Sequence, residues 1–251
     1  MSKLLCDWTS HFSSNDWSNS PELDWSNASR LSTADVRTIV PSLRQFQLGE
    51  YSEGRNLLAR AGAYSKANGV PQLAEATQSF IKEEQRHSLI LGRFLEREGI
   101  PPLKRDAIDA IFRRLRKLAG FELSVAVLCT AECIAVPYYT AVRDLTTSGL
   151  LKRICQGLLR DEALHLCYQG QVLGLFSRRR GFWSESIVRT LHRVLLLAAG
   201  VVVYTQHARF FRAANMSLQS LLGSSFQALA QIEQRTGAPA LVGLGWLTNS
   251  R

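Results

Sequence analysis

Glu-x-x-His occurs twice in this chain, at Glu84–His87 and at Glu162–His165, each time directly after a second acidic residue, Glu83 or Asp161. Residues three apart on an α-helix share a face, so each motif offers a carboxylate and an imidazole to one point in space. A fold that brings two such points together buries charge, and buried charge needs a counter-charge or a coordinated metal. The repeated motif therefore favours long helices whose polar residues face inward on a dinuclear metal site.

The surrounding pattern is helical. Ser32-Thr33-Ala34-Asp35 has the form of a helix start, and Pro41 suits a first turn or a kink. Leu43, Phe46, Leu57, Leu58 and Ala61 recur at helical spacing and predict one helix from Ser42 to Asn68, stopped by Gly69. A second helix is expected from Pro71 to Arg97, ended by Gly99-Ile100-Pro101-Pro102, and a short basic helix at 104–118. Glu122–Leu145 and Leu150–Phe176 read as long helices, with Arg178–Gly181 a turn. Ser184 is expected to cap a fifth long helix reaching Ala213, apolar all round from Val194 to Tyr204 and so buried in the protein or in a dimer. A helix from Ser217 to Arg235 precedes a Gly-rich tail. Residues 1–31 are rich in Ser, Asn and Trp and repeat Asp-Trp at Asp7-Trp8, Asp16-Trp17 and Asp24-Trp25. They read as an irregular arm whose tryptophans dock on the helices. This gives three regions: the arm (1–31), a four-helix body (32–176) and a C-terminal helical extension packed on it (177–251).

Upstream carboxylates extend the motif. Glu50 precedes Glu84 by 34 residues and Glu132 precedes Glu162 by 30. A helix rises about 1.5 Å per residue, so ~30 residues of helical hairpin return the chain to the same height. Each half then brings one Glu and one Glu-x-x-His, and 99–120 is long enough to cross between the halves, a topology described for di-iron carboxylate bundles. Glu50 lies on the stripe of Phe46 and Leu57; Glu53 matches the 30-residue spacing better and stands as its alternative. Four carboxylates and two neutral imidazoles balance two divalent ions and form a hard oxygen and nitrogen set that suits iron or manganese and also accepts zinc. Glu83 and Asp161 are expected to take the free ring N–H of the histidine on the opposite helix, Glu83 for His165 and Asp161 for His87, which fixes the tautomers. Their ordinary alternative is pairing with Arg86 and Arg160. His207, Tyr138, Tyr139 and Tyr168 read as core residues, and His11 and His192 lack a supporting cluster.

The net charge is +9, concentrated in Arg113–Lys117 and Arg178–Arg180. Such charge is ordinarily solvated surface, and it also suits nucleic acid, an acidic carrier protein or an anionic membrane surface. No nucleic-acid motif accompanies it. Five cysteines without C-x-x-C point to reduced thiols and a cytoplasmic protein. The longest apolar run, Val194–Tyr204, falls short of the ~20 residues of a membrane span, so no transmembrane segment or signal peptide is expected.

The series Glu50…Glu84-x-x-His87…Glu132…Glu162-x-x-His165 resembles the ferritin-like di-iron carboxylate superfamily. Phe46-Gln47-Leu48-Gly49-Glu50 and Phe80-Ile81-Lys82-Glu83-Glu84-Gln85-Arg86-His87 look like a bacterial group of ferritin-like proteins. The resemblance covers about residues 40–176. It implies an all-α, ferritin-like four-helix bundle with a long crossover between helices two and three and two added C-terminal helices. It also implies two iron ions, or manganese or a mixed Mn/Fe pair, bridged by Glu84 and Glu162, with Glu50, Glu132, His87 and His165 as terminal ligands. The superfamily includes ferritins, rubrerythrins, ribonucleotide reductase small subunits, acyl desaturases, aminobenzoate N-oxygenases and tRNA-modifying hydroxylases. A rubrerythrin would carry a cysteine-ligated iron domain, and no paired C-x-x-C occurs in this sequence. The aminobenzoate N-oxygenases carry a histidine one turn before the last Glu, where this chain has Leu158. The expected function is an O2-activating oxidase or oxygenase, served by an electron donor and acting on a small or carrier-bound, anionic organic substrate, with a homodimer as a further expectation. The alternative is non-enzymatic iron or manganese binding or peroxide detoxification.

Overall fold

Apolar spacing of three and four residues is realised as helix along the chain. The computed structural model describes residues 3–15, 17–20, 23–26, 30–51, 54–103 and 120–235, and no strand occurs among them. The helices are α1 (Lys3–Ser14), α2 (Thr33–Thr38), α3 (Val40–Glu50), α4 (Arg55–Asn68), α5 (Gln72–Arg97), α6 (Phe121–Leu145), α7 (Gly149–Ser177), α8 (Phe182–Gln206), α9 (Ala208–Ala213) and α10 (Leu218–Arg235), with a 3-10 turn at Trp17–Asn19. The expected basic helix at 104–118, Glu53 and the Gly-rich tail lie outside the described residues. By contacts the chain divides into two compact units, one of residues 1–121 with 142–158, the other of residues 122–141 with 159–251.

In the first unit α1, α3 and α4 all pack on α5. The apolar stripe of α5 is continuous: Leu73, Ala76, Phe80, Ile81, Leu91 and Phe94 are all buried. Ser32 caps α2, accepting the Asp35 amide at 3.1 Å. Asp35 is itself buried and accepts from the Thr147 amide (3.2 Å) and the Thr147 hydroxyl (2.6 Å), tying α2 to the α6–α7 connection. The single helix expected from Ser42 to Asn68 is broken. It ends at Glu50, and Gly54 takes a left-handed conformation (φ 65°) before α4 begins. A Cβ at Gly54 would lie 2.5 Å from Ile81, so the break is built to the close approach of α5.

Residues 1–31 are not an irregular arm throughout, because α1 is helical. Trp8 and Phe12, four apart on α1, are buried, and Phe12 meets Phe80 of α5 with ring centroids 6.2 Å apart. Trp17 lies against Gly157, and the Arg93 guanidinium sits 4.0 Å from the Trp25 ring centre. Trp17 and Trp25 thus lie against residues of α7 and α5, while Trp8 is buried on α1 itself and stacks on Phe12.

In the second unit α8 packs with α9 and α10. The expected helix from Ser184 to Ala213 begins earlier, at Phe182. Gly181 holds the cap position and the Ser184 hydroxyl donates to its carbonyl at 2.9 Å. It also breaks at His207, where α9 takes over. Tyr138, Phe210 and Phe211 form an aromatic cluster beside His207, and Tyr138, Tyr139 and Tyr168 are buried core residues. By length and composition α6 and α8 are each apolar enough to cross a membrane, which a count of uninterrupted apolar residues does not reveal. The protein itself buries 72% of the relevant stretch in α6 and only 17% in α8.

Candidate metal centre

Each half of the centre is built by one long helix. On α5, Glu84 and His87 project from the same face; His87 is fully buried and its Nδ1 lies 3.9 Å from Glu84 Oε1. On α7, Glu162 and His165 repeat the arrangement, with His165 Nδ1 3.9 Å from Glu162 Oε2. These separations exceed a hydrogen bond; they fall within the ~4.2 Å that two ligand atoms, each about 2.1 Å from one ion, can span. One ligand atom from each of Glu84, His87, Glu162 and His165 lies within 4.8 Å of all the others, and the group could hold a metal ion.

The other expected ligands divide. Glu132, buried on α6, places Oε1 4.0 Å from His165 Nδ1. Glu50 is the last residue of α3 and is buried. Neither belongs to the four-residue group. Local contacts hold α3 in place. Gln47, one turn before Glu50, donates to the Ser88 hydroxyl at 3.0 Å while Ser88 donates back to the Gln47 carbonyl at 3.1 Å, which ties α3 to α5 beside His87.

Glu83 and Asp161 are sealed from solvent. Glu83 Oε1 accepts from Asn15 Nδ2 at 2.6 Å and from Arg86 Nη2. Glu83 thus pairs with Arg86, the ordinary alternative for this carboxylate, inside the protein rather than on its surface. Two participants escaped the sequence reading. Asn15 gives no local signal, since it sits in a polar stretch far from α5. Gln169 donates to Glu132 Oε1; it lies four residues after His165, and that helical spacing could have found it.

No family model, no curated protein and no solved structure matches this chain. The site is accordingly read from its own chemistry. Two carboxylates and two imidazoles, with Glu84 half-buried and the other three residues buried, suit a divalent cation, which offsets the charge that burial would otherwise penalise.

A cavity of about 360 Å³ opens in the second unit, lined by Leu123, Ala126, Leu173, Leu191, Leu195 and Ile232. Ion pairs rim it: Arg180 with Glu122 and Glu185, and Arg189 with Glu185. His192, also on its wall, meets the Thr130 hydroxyl at 3.1 Å. Burial pulls His192 toward the neutral form, but Cys129 and Glu233 outweigh it and its pKa is raised. The Cys133 thiol and burial together hold Cys129 well above the ordinary thiol value, and burial does the same for Cys155. Both are neutral, inert core thiols.

Proposed function

We propose that this protein is a carboxylate-ligated dimetal oxidase or oxygenase. The observation that carries the reading is the convergence of two Glu-x-x-His pairs to within 4.8 Å. Glu84, His87, Glu162 and His165 would hold the ions, and Glu132 and Glu50 would complete two pseudo-equivalent ligand sets, with α3–α4, α5, α6 and α7 as a ferritin-like four-helix bundle. Iron suits the oxygen and nitrogen donors, as does manganese. When bound, such ions supply the redox and Lewis-acid chemistry of O2 activation.

The chain's own residues hold and shield the site. Gln169 fixes one oxygen of Glu132 and so aims the other; Asn15 and Arg86 fix Glu83; Asp161, buried beside Glu162, would orient His87. The full burial of His87 and His165 excludes water from the imidazoles. The apolar cavity has none of the proposed ligands in its lining and offers room for an organic molecule, which storage would not need. Ala126 lines it on the helix that carries Glu132, and Leu173 lines it one turn beyond Gln169. Elemental analysis after anaerobic loading with Fe(II), followed by O2 uptake with and without candidate substrates, tests the reading. Two bound ions and O2 uptake stimulated by an organic compound support it; iron uptake well beyond two per chain replaces it with storage.

A further inference from the structure

Between Val194 and Gln206 the sequence carries no charged residue. The inner side of this part of α8 is buried: Leu196, Ala199, Gly200 and Val203 are covered, and a Cβ added at Gly200 would lie 2.5 Å from the Leu222 side chain of α10. The outer side is equally apolar and is bare. Trp183, Ile187, Leu191, Val194, Leu197 and Val201 follow one another at intervals of three and four, and all are exposed, Trp183 to 81% and Val194 to 57%. Phe182, at 79%, extends the stripe at its start. A helix apolar on both sides finishes buried in protein or in lipid.

Charge decides between these. Exposed arginines stand at both ends of α8: Arg178 and Arg179 before it, Arg209 and Arg212 after it. The single acidic residue in its sequence, Glu185, is held by Arg180 and Arg189, each at 2.9 Å. A second copy packed on this face, parallel or antiparallel, would set arginines against arginines at each end. An anionic surface meets the same pattern with attraction. We propose that α8 lies in the plane of an anionic lipid bilayer, its outer stripe in the acyl boundary, Phe182 and Trp183 at headgroup depth and the terminal arginines on lipid phosphates. The helix lies on the membrane rather than across it, because α10 covers its other side.

The test is co-sedimentation of the full chain with vesicles of phosphatidylcholine alone and of phosphatidylcholine mixed with phosphatidylglycerol, alongside light scattering. Binding to the mixed vesicles, weakened by salt, is expected. Val194→Glu with Val201→Glu should lower it at least tenfold with the helical circular dichroism unchanged. Arg178→Gln with Arg179→Gln should weaken it by about fivefold per arginine without touching the apolar stripe. Trp183→Phe should remove a blue shift in fluorescence on vesicle addition. Absence of binding to mixed vesicles overturns the proposal, as does binding indifferent to the glutamate pair. A dimer dissolved by that pair, without lipid binding, assigns the face to self-association instead.

Discussion

His165 is enclosed, and two carboxylates, Glu162 and Glu132, stand 3.9 and 4.0 Å from its Nδ1. His165→Ala and Glu84→Ala should each remove metal binding, read as loss of bound ion at unchanged helical content. Gln169→Leu should leave the four-residue group in place but free Glu132 to swing, and metal affinity should fall about 10- to 100-fold in a competition titration; unchanged affinity would limit Gln169 to packing. Asn15→Ala withdraws a donor from the buried Glu83 carboxylate and should cost about 1.5–3 kcal/mol in urea unfolding. His192 adds a pH term. Its pKa is raised in the folded protein, so its stabilising contribution is complete below the unfolded value of about 6.5 and is lost as pH rises through the folded value. Stability measured upward from pH 6 should therefore decline in the wild type by more than in His192→Asn. At this scale the two Glu/His pairs were legible because Glu and His three apart on a helix share a face. Asn15 was not, because its partner lies 68 residues away and nothing local marks the meeting.

Helix α5 is the element on which the first unit assembles, and its pattern was readable from Pro71 to Arg97 because one apolar stripe runs its length and a Gly-Pro segment ends it. The break between α3 and α4 was not, because Phe46, Leu57 and Leu58 keep the same helical spacing on both sides of it. What sets the break is tertiary, the approach of Ile81 to Gly54. Gly54→Val meets both the left-handed backbone and that contact and should destabilise the protein well beyond the ~1 kcal/mol of an ordinary substitution; a melting temperature within a degree of wild type would contradict the close approach. Apolarity all round α8 was equally ambiguous in sequence, since a core helix and a half-covered one share a composition. Only packing shows that its inner side is sealed and its outer side bare.

At the scale of the molecule, the helical character of the described residues follows from long runs at helical spacing, while the two-unit division could not be read from the chain, because two of its boundaries fall inside α6 and α7 rather than at turns. Metal should act on stability as any ligand of the native state does. At 100 times its dissociation constant it adds about 2.7 kcal/mol, worth roughly 5–10 °C in a chain of this size, and chelation should take that increment away. The most direct measurement is the metal content per chain of protein loaded anaerobically with Fe(II) and freed of excess, set beside Glu84→Ala and His165→Ala. Two ions per chain in the wild type, and loss of that pair in both variants with helical content intact, is the predicted result; a wild type that retains no iron, or variants that retain as much as the wild type, would contradict it.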